Sequence, residues 1–231
     1  MTYDAVLFDL FGTLIDNASP EQRVRLFRDP AADLNCDPDE FMNAWLGIYH
    51  DRSIGRLGSV ENEISEVCGQ LGFAPTKGQL QIVLKRRLDA FREQCTPRAT
   101  VLETLAKLRS MGIKTGLITD CGSEVPDVWP ELELAPLMDA TVFSCNVGAT
   151  KPDPKLYKLA CKRLDVSPSK CLYVGDGGSR ELTGAKAMGM TPVLIRVDYE
   201  QHMDAYRQDA LEWTGPVIGQ IGDLLSIVAT G

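Results

Sequence analysis

Beyond residue 96 the chain alternates short apolar runs with longer amphipathic stretches, and few folds satisfy that pattern. Runs at 113–119, 140–144, 171–175 and 192–197, with a short one near 216–218, have the length and flanking turns of strands. Between and after them, 101–111, 123–134, 153–164, 179–188 and 221–229 carry helical periodicity, the second interrupted at Pro126 and Pro130. This succession predicts crossover units around a parallel sheet, an α/β doubly wound Rossmann-like core with helices on both faces. The run from Ala5 to Phe8 joins the same sheet, because four apolar residues are too few for a globular helix and suit a strand covered on both sides. Segment 198–213 has no clear period and is expected to be a loop with a short helix.

Between the first strand and residue 96 the character changes. Stretches 20–27, 38–52, 60–71 and 77–94 are helical in period, and the pairs Ser19-Pro20 and Asp37-Pro38 read as cap followed by first-turn proline. Residues 1–15 and 97–231 are therefore expected to form the α/β core, and residues 16–96 an all-helical cap. The crevice between the two is expected to be the main pocket.

Ligands of open parallel sheets bind beyond the carboxyl ends of the strands. Asp9 ends the first run just before Gly12, Thr119-Asp120 ends the second, and Lys151 follows the third. Gly175-Asp176 ends the fourth, with Glu181 close behind. Each has an ordinary alternative: a turn cap for Asp9, a β-branched strand residue for Thr119, a surface lysine for Lys151. Asp176 and Glu181 alone could be helix N-terminal charges worth under about 1 kcal/mol. Their recurrence at successive strand ends is what argues for a site.

Composition narrows the chemistry. A net charge of −8 leaves no basic footprint for nucleic acid, and no apolar run approaches the roughly 18 to 20 residues that span a bilayer. Residues 1–4 lack a basic region and apolar signal core, so a cytoplasmic protein without nucleic-acid or membrane partners, monomeric or homodimeric, is expected. Seven scattered cysteines without a Cys-x-x-Cys pair argue against zinc or a disulfide framework, and two histidines are too few for a histidine metal centre. Oxygen-liganded metal remains compatible with the acids.

Asp9-Leu10-Phe11-Gly12-Thr13, Gly116-Leu117-Ile118-Thr119, Lys151-Pro152-Asp153-Pro154 and Gly175-Asp176 with Glu181 resemble, in that order, the four motifs of the haloacid dehalogenase superfamily. The helical insertion after the first strand is similar to that family's cap. The resemblance implies Asp9 as nucleophile and Lys151 as its catalytic cation. It further implies Mg2+ held by Asp9, Asp176, Glu181 and the backbone carbonyl of Phe11, and a small phosphorylated substrate met by Thr13, Thr119, Asp120 and Lys151. The residue types suit this chemistry independently. A carboxylate with a pKa near ~3.9 is ionised at neutral pH and needs no base to attack, but it repels a phosphoryl group until cations offset the charge.

Phe11 departs from the phosphatase pattern, which places a second Asp there as acid and then base. Three readings follow: a Mg2+-dependent phosphohydrolase working through an aspartyl-phosphate on Asp9, a metal-free 2-haloacid dehalogenase, or a phosphate-binding protein without turnover. The retained Asp176 and Glu181 favour the first. In the cap, Arg52 and Arg56 flank a Gly-punctuated link and either meet a second anionic group of the substrate or are solvated. Cys121 is assigned no chemistry.

Overall fold

In the computed structural model, which describes residues 3–230, strand β1 (Ala5–Phe8) lies inside a parallel sheet because it is apolar on both faces. Ala5 and Leu7 enter one hydrophobic cluster, Val6 and Phe8 the other, and none of the four is solvent-exposed. The remaining strands are β2 (Lys114–Thr119), β3 (Ala140–Phe143), β4 (Cys171–Gly175), β5 (Thr191–Ile195) and β6 (Val217–Ile218). Their order is β3-β2-β1-β4-β5-β6, every pairing parallel. The chain builds outward from β1 through β2 to β3, then crosses back to place β4 on the other side of β1. That reversal makes the β1/β4 boundary the switch point, where a crevice opens at the strand ends.

The helical stretch after β1 contains helices Pro38–Gly47, Tyr49–Ser53, Val60–Gln70 and Lys77–Gln94, with no strand between residues 20 and 94 among those described. Ser19, Asp37, Ser59 and Thr76 cap their helices through side-chain oxygens. The expected first helix runs further than its period indicated. A wide turn at Val24–Arg28 leads directly into Asp29–Leu34, so Pro30 falls in a first turn, where its missing N–H costs little. Pro126 likewise sits inside helix Glu124–Val128, and the break comes only at Trp129–Glu131. The unreadable segment contains a 3₁₀ helix, Asp198–Tyr206.

Phe41, Trp45, Ile64, Val67 and Val83 form a cluster of their own within the helical stretch, whereas Leu26, Ala90, Phe91 and Cys95 at its base join the cluster on one face of the sheet. The two chain crossings meet at Ile15, which pairs with Pro97 in a short antiparallel bridge, and Arg98 N–H donates to Leu14 O at 2.9 Å. Among the described residues no helix is long and apolar enough to cross a membrane.

Candidate active site

Asp9 leaves β1 with its amide bonded to Val174 O at 2.9 Å, which fixes the carboxylate at the β1/β4 boundary. Lys151, brought in by the loop after β3, places Nζ 2.5 Å from Asp9 Oδ1 and 2.6 Å from Glu181 Oε2. All three are at least nine-tenths buried. Burial pushes the Asp9 carboxyl up to about 6 against the pull of Lys151, with the Asp176 charge adding to the rise. For Lys151 burial works against the charge, yet Asp9 and Glu181 outweigh it and hold the ammonium above its usual range. Burial, then the Asp9 charge, raises Glu181. Glu181 has little freedom. Tyr173 OH donates to its Oε2 at 2.9 Å and Gly177 N–H to its Oε1 at 3.0 Å, while the carboxylate folds over Gly175, where a Cβ would lie 2.1 Å from Oε1.

Asp176 completes the acid cluster. Gly178 N–H donates to its Oδ1 at 2.9 Å, and Arg207 Nε donates to its Oδ2 at 2.7 Å. Gly12 is required here: its φ is +73°, and a Cβ would lie 2.2 Å from Asp176 Oδ2. Arg207 continues to Glu200 at 2.7 Å, which is also ion-paired with Arg98 at 2.7 Å. Carboxylate oxygens of Asp9, Asp176 and Glu181 lie within 4.8 Å of one another, a set of hard donors that suits Mg2+.

Thr119 is fully buried at the end of β2, and its hydroxyl has no hydrogen-bond partner. An orphaned hydroxyl at a strand end costs stability unless a ligand completes it. Asp120 acts on the lysine loop, its Oδ1 accepting from Lys151 N–H at 2.9 Å. The Cys121 amide donates to Ser144 Oγ at 2.9 Å. Thr13 is buried beside Asp9, its hydroxyl 3.5 Å from Oδ2.

The Phe11 ring turns toward the helical stretch, making an edge-on contact with Phe91 at 6.0 Å between centroids. Both line a cavity of about 280 Å³ with Tyr49, Arg52, Asp120 and Glu124. The crevice is therefore hollow but is not the largest pocket. About 500 Å³ opens beside the chain crossings, among Asn17, Pro20, Gln94, Pro97 and Tyr199. Arg52 is neither solvated nor free. Its Nε donates to Glu63 at 2.9 Å and its Nη2 to Glu124 at 2.6 Å, while Arg87 donates to the other Glu124 oxygen at 2.7 Å. Arg56 pairs with Asp51 and is exposed.

Sequence reasoning missed Arg207, Glu200, Glu124, Arg87 and Tyr173. Arg207 and Glu200 belong to the aperiodic segment, and the others lie on elements whose period marks burial without revealing a partner.

A family model described as haloacid dehalogenase-like hydrolase matches residues 3–189. The chain is 26% identical over 231 residues to the glyceraldehyde 3-phosphate phosphatase of Methanocaldococcus jannaschii, covering 96% of each protein. It is 35% identical over 116 residues to the protein of the same name from Methanopyrus kandleri, spanning about half (49%) of that relative's length. The phosphoglycolate phosphatase of Shigella boydii serotype 4 is 26% identical over 208 residues, 84% of this chain and 81% of its own. A HAD phosphatase from Thermococcus onnurineus shares the fold, with a TM-score of 0.68 at 23% identity over 99% of this chain and 98% of the other.

Proposed function

Because the chain belongs to the haloacid dehalogenase-like hydrolase family, we propose that it hydrolyses a small phosphorylated metabolite, with Asp9 as nucleophile and Mg2+ as cofactor. The observation that carries this reading is the buried Asp9–Lys151 pair at the switch point, backed by Asp176 and Glu181. The phosphatase names of relatives matched over most of their length support phosphate over halide chemistry.

Asp9 Oδ2, the oxygen not held by Lys151, attacks phosphorus as the leaving oxygen departs, and the phosphoryl group passes to Asp9. Lys151 Nζ and the Thr119 hydroxyl donate to phosphoryl oxygens as charge develops on them. Bound Mg2+ would offset the repulsion between carboxylate and phosphoryl group. Asp9, Asp176 and Glu181, with the Phe11 backbone carbonyl, would hold it, and Glu181 also fixes Lys151. Water then cleaves the aspartyl-phosphate. No carboxylate stands at position 11 to take its proton, so this second step is slow. Residues 16–96 act as a cap that closes the crevice and sorts substrates, and the protein works in the cytoplasm as a monomer or homodimer.

The test is phosphate release from a panel of phosphate esters, with and without Mg2+, beside halide release from 2-chloropropionate. Mg2+-dependent phosphate release that Asp9→Asn abolishes is expected. Metal-independent halide release would move the protein to the dehalogenase reading.

A further inference from the structure

We infer that the crevice beside Phe11 accepts an uncharged leaving group: a small phosphate ester whose remainder carries hydroxyl or aldehyde oxygens and no second anionic group. The inference rests on the phosphohydrolase reading and adds the class of substrate.

Among the described residues that line the cavity, Arg52 is the one cation, against the carboxylates of Asp120 and Glu124. Arg52 is already matched. Glu63 takes its Nε and Glu124 its Nη2, and its guanidinium lies 4.1 Å from the centroid of Trp45. Behind it, Arg87 shares Glu124 and stacks on the same ring at 3.6 Å. Two guanidinium groups and two carboxylates form a buried set that is neutral as it stands, with Glu63 tied further by Ser123 N–H at 3.1 Å. Gly122 closes over the set, since a Cβ there would lie 2.8 Å from Arg52 Nη2.

A substrate carboxylate in this cavity would face Asp120 and Glu124. To reach Arg52 it would have to displace a carboxylate and leave that group buried without its partner, a costly exchange. Lys151 is committed to Asp9, Glu181 and the reacting phosphoryl group, and Arg56 is an exposed partner of Asp51. Tyr49, by contrast, brings a phenol to the cavity wall, and Phe11 and Phe91 bring apolar surface. These suit carbon, hydroxyl and carbonyl.

The test compares kcat/KM for glyceraldehyde 3-phosphate and 3-phosphoglycerate, which place an aldehyde or a carboxylate on one skeleton. A preference of at least about tenfold for the aldehyde is expected, about 1.4 kcal/mol. Glu124→Gln removes one of the two carboxylates and should narrow the ratio by improving 3-phosphoglycerate; if that variant fails to fold, the wild-type ratio still decides. Equal rates, or a preference for the carboxylate, overturn the inference while leaving the phosphohydrolase reading in place. Release of phosphate from neither compound, nor from 4-nitrophenyl phosphate, overturns both.

Discussion

Arg207→Gln tests whether the acid cluster needs its built-in cation. Arg207 is 4% exposed and bonds Asp176 at 2.7 Å and Glu200 at 2.7 Å. Removing one partner of a buried ion pair typically costs about 3 to 5 kcal/mol, because the other charge stays behind unpaired. Glu200 keeps Arg98 at 2.7 Å and the Asn17 amide at 2.9 Å, so the loss concentrates on Asp176 and the lower end, about 3 kcal/mol, is expected. For a chain of this size each kcal/mol moves the melting temperature by roughly 2 to 4 °C, which gives a fall of about 6 to 12 °C. A divalent cation at Asp176 would supply the missing charge, and ligand at about 100 times its Kd stabilises by about 2.7 kcal/mol. Melting curves of wild type and variant, in chelator and in excess Mg2+, should therefore converge as Mg2+ is added. A variant within about 2 °C of wild type in chelator, or a gap that Mg2+ leaves unchanged, would refute the reasoning.

Thr119→Val removes a buried hydroxyl that has no partner, so stability to urea should hold or rise by about 1 kcal/mol while KM for phosphate esters increases several-fold. Asp176→Asn keeps the shape but loses a charged oxygen, and calorimetry should find weaker Mg2+ binding together with lower activity. With its carboxyl raised to about 6, Asp9 in metal-free protein contributes stability that is present below its unfolded value and lost as pH climbs through about 6. Urea melts in chelator at acid and neutral pH should differ by at most about 3 kcal/mol on this account, and Asp9→Asn should flatten the slope. Phe11→Asp should accelerate alkyl phosphates more than aryl phosphates, since general acid help is worth roughly 10² to 10⁴ where the leaving oxygen is strongly basic. Equal effects on both would mean that another group already supplies the proton.

The strands and Asp9, Lys151, Asp176 and Glu181 were legible because strand ends in an alternating chain have fixed addresses: polarity after an apolar run places a side chain at the sheet's edge. The partners were not. Arg207 reaches Asp176 from a segment of 3₁₀ turns with no period, and nothing local distinguishes it from a surface arginine. Arg52 illustrates the same limit, because its pairing with Glu63 and Glu124 depends on how the helical stretch docks on helix Glu124–Val128. Periodicity fixes which face of a helix is buried but not what it meets. The cavity sizes escaped for a related reason, since the larger hollow is bounded by the chain crossings and segment 198–206 together.

The bridge between Ile15 and Pro97 also bears on how such chains diversify. Because the outgoing and returning strands touch, the sheet meets residues 16–96 as it would meet a hairpin turn, with both ends held at one point. The entropy of closing a loop rises only as the logarithm of its length, each doubling costing about 0.6 kcal/mol. Lengthening, shortening or replacing the helical stretch beyond its base therefore taxes the sheet very little. Under the proposed role of this stretch as a cap, the molecule to be enclosed would set its size, and sequence drift should concentrate between the caps at Asp37 and Thr76, leaving the crossing itself unchanged.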